Sequence, residues 1–234
     1  ETLHLHHRMK ALFRQSRDSL GSREMMKKLR EEGFRIGRYK VRHLMAKLNL
    51  IVKQRVAYKV TTRRNDNDAV ADNLLNQNFN PVATNQVWAG DITYLKTGEG
   101  RMYLAIVMDL YSRRIVGWAI SKRMTTGLIC QAMIMAYNLR QPPRGLVFHS
   151  DRGSQYTSKR YRRLLKSYGV PSSMGDVGAC WDNVVVERFF GSLKHDWIFK
   201  IAQPTREHMR NDVAAYMRYY NLVRLHSANG DQSP

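Results

Sequence analysis

Cysteine is nearly missing from this 234-residue chain: Cys130 and Cys180 are its only two, and they do not stand at a metal-ligating pair spacing. That excludes a disulfide-stapled fold and a structural zinc site, and it fits a reducing compartment. Long apolar runs are missing too. Runs such as Tyr103 to Met108 reach about six residues, against the roughly twenty that cross a bilayer, which excludes a membrane-spanning helix. The His-rich, charged opening has no apolar signal core, and a start on Glu1 suggests a piece of a longer chain. No internal repeat is found, which removes solenoids and propellers. Acidic residues are the third shortage. Nineteen Asp and Glu face 39 Lys and Arg, giving a formal charge of +20 and a pI near 10.3. So large an excess implies a polyanionic partner, nucleic acid first among them. With 43% hydrophobic residues, the length suits one sizeable core and a small satellite domain.

The charge is uneven. Residues 1–64 hold 18 of the basic residues and five of the acidic ones. An Asn/Asp-rich stretch follows, and the composition divides the chain into a basic domain (1–64), a linker (65–84), a main domain (85–203) and a helical tail (204–234). Within the linker one short helical turn is expected around Leu74 and Leu75. From Ser22 the apolar residues Met26, Leu29, Phe34, Ile36, Val41, Leu44, Met45 and Leu48 describe two amphipathic helices around a turn at Gly33, the first capped by Ser22. The shape is helix-turn-helix-like. On the second helix, from about Gly37 to Leu48, Arg38, Lys40, Arg42, His43 and Lys47 crowd the polar side, where a groove-bound helix needs phosphate contacts. A solvated basic face is the plain alternative, and the basic stretch Lys53 to Arg64 favours nucleic acid.

Past Pro81, Gln86–Lys96, Met102–Asp109 and Ile115–Ser121 predict a three-stranded antiparallel meander. Helices over Thr125–Arg140, Ser158–Tyr168, Asp182–Lys200 and Arg206–Tyr220, with strands at Leu146–Ser150 and Pro171–Met174, predict a mixed α/β layer fold. Trp88, Trp118, Trp181 and Trp197 are expected in the core. Three acids interrupt apolar surroundings: Asp91 in the first strand, Asp151 after LVFHS, and Glu187 within VVVERFF. Buried carboxylates are costly unless paired or metal-bound, and three converging ones repel unless a cation neutralises them. An oxygen-only set suits Mg²⁺ or Mn²⁺. The alternative is three ordinary acids, satisfied by neighbours such as Arg152 and Arg188. Asp109 reads as a turn or strand-end residue and His149 as a support rather than a ligand.

The wording around the acids adds to this. WAGDITY, HSDRGSQYTS and WDNVVVERFFGSLK, with 35 residues between Asp151 and Glu187, resemble the DDE transposases and retroviral-type integrases. More narrowly they resemble the catalytic protein of the insertion-sequence-three family of bacterial mobile elements. The tail YMRYYNLVRLHSANGDQSP is similar to that family's closing YNxxRxHxxxG stretch, and Lys194 takes its basic position seven residues after the glutamate. Val184 to Val186 replace the smaller residues common there, and the family usually continues past Pro234. The resemblance implies an RNase H-like α/β catalytic core of integrase type with a small N-terminal all-α helix-turn-helix domain. It implies a transposase that cuts and joins DNA through Asp91, Asp151 and Glu187, holding two Mg²⁺ or Mn²⁺ ions about 4 Å apart. Lys194 then holds a phosphate, Arg152, Gln155 and Arg188 are DNA-contact candidates, and Arg38, Lys40, Arg42 and Lys47 contact DNA from the basic domain. The implied partners are the element's terminal inverted repeats, the target duplex and a second copy of the chain, in the bacterial cytoplasm at the nucleoid. An RNase H-fold nuclease that does not join, and a non-catalytic transposition repressor, are the competing readings.

Overall fold

The computed structural model describes residues 2–52, 71–75, 81–175 and 184–234. The basic stretch Lys53 to Arg64, most of the linker, Cys180, Trp181, Asp182 and Asn183 lie outside the described residues. The chain forms two compact units, Glu1–Val60 with Gly191–Ala202, and Thr61–Phe190 with Gln203–Pro234.

The first unit holds three helices, α1 (Thr2–Gln15), α2 (Ser22–Glu31) and α3 (Arg38–Lys47). α1 adds to the two helices expected. Leu5, Met9, Leu12 and Phe13 form its apolar stripe, obscured in the sequence by His4, His6, His7 and Arg8. These side chains pack with Leu20, Met25, Leu29, Ile36, Val41, Leu44 and Met45. Met25, not Met26, is the fully buried methionine of α2, and Met26 packs at the margin. Ser22 is not the cap: Gly21 stands at the N-cap and no side chain caps the helix. α2 ends as expected, with Gly33 at φ +90° and the Phe34 amide returning to the Leu29 carbonyl at 2.9 Å.

The second unit is built on a five-stranded sheet in the order β3-β2-β1-β4-β5. β1 (Val87–Thr97), β2 (Gly100–Asp109) and β3 (Ile115–Ser121) form the expected antiparallel meander, while β4 (Val147–Ser150) and β5 (Ser172–Met174) run parallel to β1. α4 (Thr126–Arg140) and α5 (Lys159–Ser167) supply Leu128, Met133, Ala136, Tyr161 and Leu165 to a core shared with Trp88, Phe148 and Val116 from the strands. Trp197 is buried in the first unit as expected, whereas Trp118 is only half-buried. The expected turn at Leu74 and Leu75 is a bend rather than helix. β5 takes up its backbone groups: the Leu74 amide donates to Ser173 Oγ at 3.0 Å, and the Asp72 carbonyl accepts from the Met174 amide at 3.3 Å.

The helix expected over Asp182–Lys200 does not run through. α6 spans Val184–Ser192, a π-turn follows over Leu193–Trp197, and a 3₁₀ turn covers Ile198–Lys200. α7 (Arg206–Leu222) starts on Thr205, whose hydroxyl accepts from the His208 amide. Phe189 of α6 packs on Tyr216 and Tyr220 of α7, with ring centroids 5.8 and 4.7 Å apart, so α7 anchors the helix that carries Glu187.

Candidate active site

The pairing of β1 with β4 brings two of the three acids together. Gly90 stands opposite Ser150 in the parallel register, so Asp91 and Asp151 follow side by side where β4 ends. The carboxyl ends of parallel strands are where α/β sheets commonly open a site. Gly90 is required at this spot, since a Cβ there would lie 2.5 Å from Phe148 Cζ and 3.2 Å from the Ile106 carbonyl oxygen. Local bonds aim both carboxylates. Asp91 Oδ1 accepts from the Ile92 amide at 2.7 Å, and Asp151 Oδ1 accepts from the Gly153 amide at 3.0 Å. Gly153 serves this bond, because a Cβ on it would stand 3.0 Å from the same oxygen.

Glu187 sits in the first turn of α6. Partial burial, then the charge of Asp151, holds its carboxyl above the usual glutamate range. Such a group binds its proton more tightly folded than unfolded. Its stabilising contribution is therefore greatest below the unfolded value and is lost as pH rises through the folded one. Beneath the pair, burial pushes the Tyr156 phenol well above its ordinary value, with Asp91, Tyr161 and Asp151 adding to the effect. Asp151 thus acts on both Glu187 and Tyr156, and Asp91 on Tyr156, while among the described residues no three His, Cys, Asp or Glu side chains stand close enough to share a metal ion. The donors fit a hard divalent cation: they are all carboxylate oxygens, one within β1, one just past the end of the neighbouring β4, and the third under the field of the second.

The surrounding residues divide by role. Arg152 Nε donates to the Gly175 carbonyl at 2.7 Å and braces the loop after Asp151, and Gln155 is half-buried in the next turn. His149 is buried, its Nδ1 3.0 Å from Ser173 Oγ, a bond between β4 and β5 that fits a supporting role. Asp109 is fully buried and takes hydrogen bonds from the amides of Asn85, Tyr111 and Ser112 and from Ser112 Oγ, which makes it the turn residue expected. Arg188 is exposed on α6. Lys194 lies in the π-turn that begins at Leu193, so it does not follow Glu187 at uniform α-helical spacing. In the first unit Arg38, Lys40, Arg42, His43 and Lys47 are exposed on α3, opposite the buried Val41, Leu44 and Met45.

Comparison with known proteins agrees with both units. Residues 1–58 match the HTH-like domain family, and residues 81–180 and 168–234 match two integrase core domain families. The chain is 40% identical over 225 residues to the transposase InsF of insertion sequence IS3A from Escherichia coli, covering 96% of this chain and 78% of that one. The chain belongs to the IS3 family of transposases. It is also 40% identical over 220 residues to a 31 kDa protein of insertion element IS600 from Shigella sonnei, covering 94% of this chain and 81% of that one. Among solved structures, the HTLV-2 integrase catalytic core in complex with magnesium superposes with a TM-score of 0.52 at 20% identity, covering 63% of this chain and 93% of that one. The core is accordingly RNase H-like and of integrase type. As a member of this family the transposase is an enzyme of DNA phosphoryl transfer, and neither the nuclease nor the repressor reading accounts for the matches better.

Proposed function

We propose that the transposase cuts the ends of its element and joins them to target DNA through Asp91, Asp151 and Glu187. The observation that carries this is the side-by-side placement of Asp91, within β1, and Asp151, just past the end of β4, with Glu187 responding to the charge of Asp151. These carboxylates would hold the divalent cations, Mg²⁺ or Mn²⁺, and two ions match the in-line displacement of a phosphodiester. Bound there, such ions supply Lewis acidity for an attacking oxygen and charge for the leaving 3′ oxygen. The chain's own part is placement. The Ile92 and Gly153 amides fix the carboxylates, and Arg152 holds the loop through Gly175. Water is the nucleophile in cleavage and the freed DNA 3′-hydroxyl in joining, so one site serves both steps.

Arg152, Gln155 and Arg188 contact the DNA backbone around the reacting phosphate, Lys194 is a DNA contact of its own unit, and α3 binds the terminal repeats through Arg38, Lys40, Arg42 and Lys47. The protein acts on paired ends as a dimer or larger assembly, in the bacterial cytoplasm at the nucleoid. Among the described residues no helix is long and apolar enough to cross a membrane. Replacing Arg38, Lys40 and Arg42 together by Gln weakens duplex binding and lowers the slope of log affinity against log salt by up to about 0.9 per lost phosphate contact. A slope equal to wild type would remove α3 from the interface. The reaction itself is tested by incubating the protein with labelled element-end duplex in Mg²⁺ and resolving nicked from joined strands. Joined product is expected; nicks alone favour a nuclease, and binding with no cleavage in Mg²⁺ or Mn²⁺ favours a repressor.

A further inference from the structure

One surface of the catalytic unit carries charge that neither the three acids nor the core uses. Residues 110–175 hold twelve Lys and Arg and a single acid, Asp151. Five of those cations, Lys159, Arg160, Arg162, Arg163 and Lys166, stand on the nine-residue α5, and all five are exposed. At about 100° per residue they fall within an arc of about 160°, with the buried Tyr161 and Leu165 on the other side. Among the described residues none of the five makes an ion pair.

The helix is held at both ends. The Tyr161 ring meets Phe148 of β4 at 5.6 Å and Tyr156 at 5.5 Å. Tyr168, at the C-cap, stacks on Tyr137 of α4 with centroids 3.8 Å apart and planes within 5° of parallel. β4 ends one residue before Asp151, so the strand that presents this acid also seats α5. A Cβ on Gly127 would lie 3.9 Å from Arg160 Nη1, which sets the α5 cations beside the first turn of α4. Lys122 and Arg123, both exposed, lead into that turn.

This arrangement works against the helix itself. Lys159 and Arg160 occupy its first turn, where the helix dipole disfavours cations and no acid offsets them. Lys159 and Arg163, Arg160 and Arg163, and Arg162 and Lys166 are like charges three or four residues apart, a spacing that destabilises a helix. Surfaces that meet only water ordinarily intersperse both signs. A face that meets a polyanion gains from one sign.

We propose that the exposed face of α5, with Lys122 and Arg123 beside it, is a docking surface for the sugar-phosphate backbone of a DNA duplex. Backbone contacts carry no base information, so this surface takes duplex of any sequence. DNA as the polyanion rests on the transposase reading; the one-signed face does not.

The test is binding by the full chain, across a salt series in EDTA, to two duplexes, an element end and one of unrelated sequence. Wild type is compared with Lys159→Gln plus Arg163→Gln, and with Lys96→Gln plus Arg101→Gln, which removes the same charge from exposed positions on the β1–β2 hairpin. The α5 variant is expected to bind both duplexes roughly tenfold more weakly or worse near 0.1 M salt, with a slope of log affinity against log salt lower by about 1.8. Its melting temperature stays at or above the wild-type value, because like-charge repulsion is relieved. If it melts lower, Lys122→Gln plus Arg123→Gln, outside any helix, carries the same test. The hairpin variant keeps the wild-type slope. A wild-type slope in the variant that carries the test, an equal loss in the hairpin variant, or a loss confined to the element end overturns the surface. The expected losses beside a wild type that never cleaves support the surface and overturn the transposase reading instead.

Discussion

Asp151→Asn is expected to abolish both cleavage and joining while leaving duplex affinity within about twofold of wild type. Asparagine has the same shape, and its Oδ1 can still accept from the Gly153 amide, so the loop that Arg152 braces through Gly175 survives. What disappears is one negative charge and one hard oxygen donor at the end of β4. Loss of an outer-shell partner of a metal ligand typically costs 10–100-fold, so loss of a ligand itself costs more than about 100-fold here. Asp91→Asn, across the β1/β4 junction, behaves alike. Product yields on labelled end DNA check this, with the thermal midpoint as the measure of folding; turnover within tenfold of wild type would remove these carboxylates from the chemistry.

Gly117→Ala is expected to be the most destabilising single methyl in the catalytic unit. Its Cβ would stand 2.1 Å from the Ala132 carbonyl oxygen and 2.8 Å from both the Ala136 Cβ and amide nitrogen. These atoms are mostly helix backbone and cannot step aside, so α4 must lift off β3. Overpacking usually costs about 1–3 kcal/mol, and a backbone clash this close belongs at the top of that range or above. In a unit of this size that lowers the melting temperature by roughly 6 °C or more. Gly127→Ala in the same helix is the control. Its Cβ meets nothing nearer than Thr125 Oγ1 at 3.5 Å, and alanine favours helix by up to about 1 kcal/mol. Calorimetric or dichroism melts of the two variants decide the matter, and equal midpoints would contradict the packing of α4 on β3.

The strands were legible in the sequence because their apolar runs are short and bounded by turn residues, and β1, β2 and β3 fall within about two residues of where the pattern puts them. Local patterns failed where tertiary contacts decide. The bend at Leu74 follows from Ser173, 99 residues away, and the break after Ser192 replaces an α-turn with a π-turn that periodicity does not announce. α1 was hidden by its histidines. Asp91, Asp151 and Glu187 could be picked out because acids are scarce in this chain and these sit in apolar surroundings, but no residue count reveals that Gly90 faces Ser150. Gly117 carried a readable signal, a glycine in the interior of a strand between Val116 and Trp118.

The most direct measurement is a crystal of the protein soaked in Mn²⁺ and recorded for anomalous scattering. Manganese is expected at about 2.1 Å from carboxylate oxygens of Asp91 and Asp151, with Glu187 drawn in to complete the set. Manganese bound elsewhere, or bound by the two aspartates with Glu187 left out, would contradict a three-carboxylate metal site.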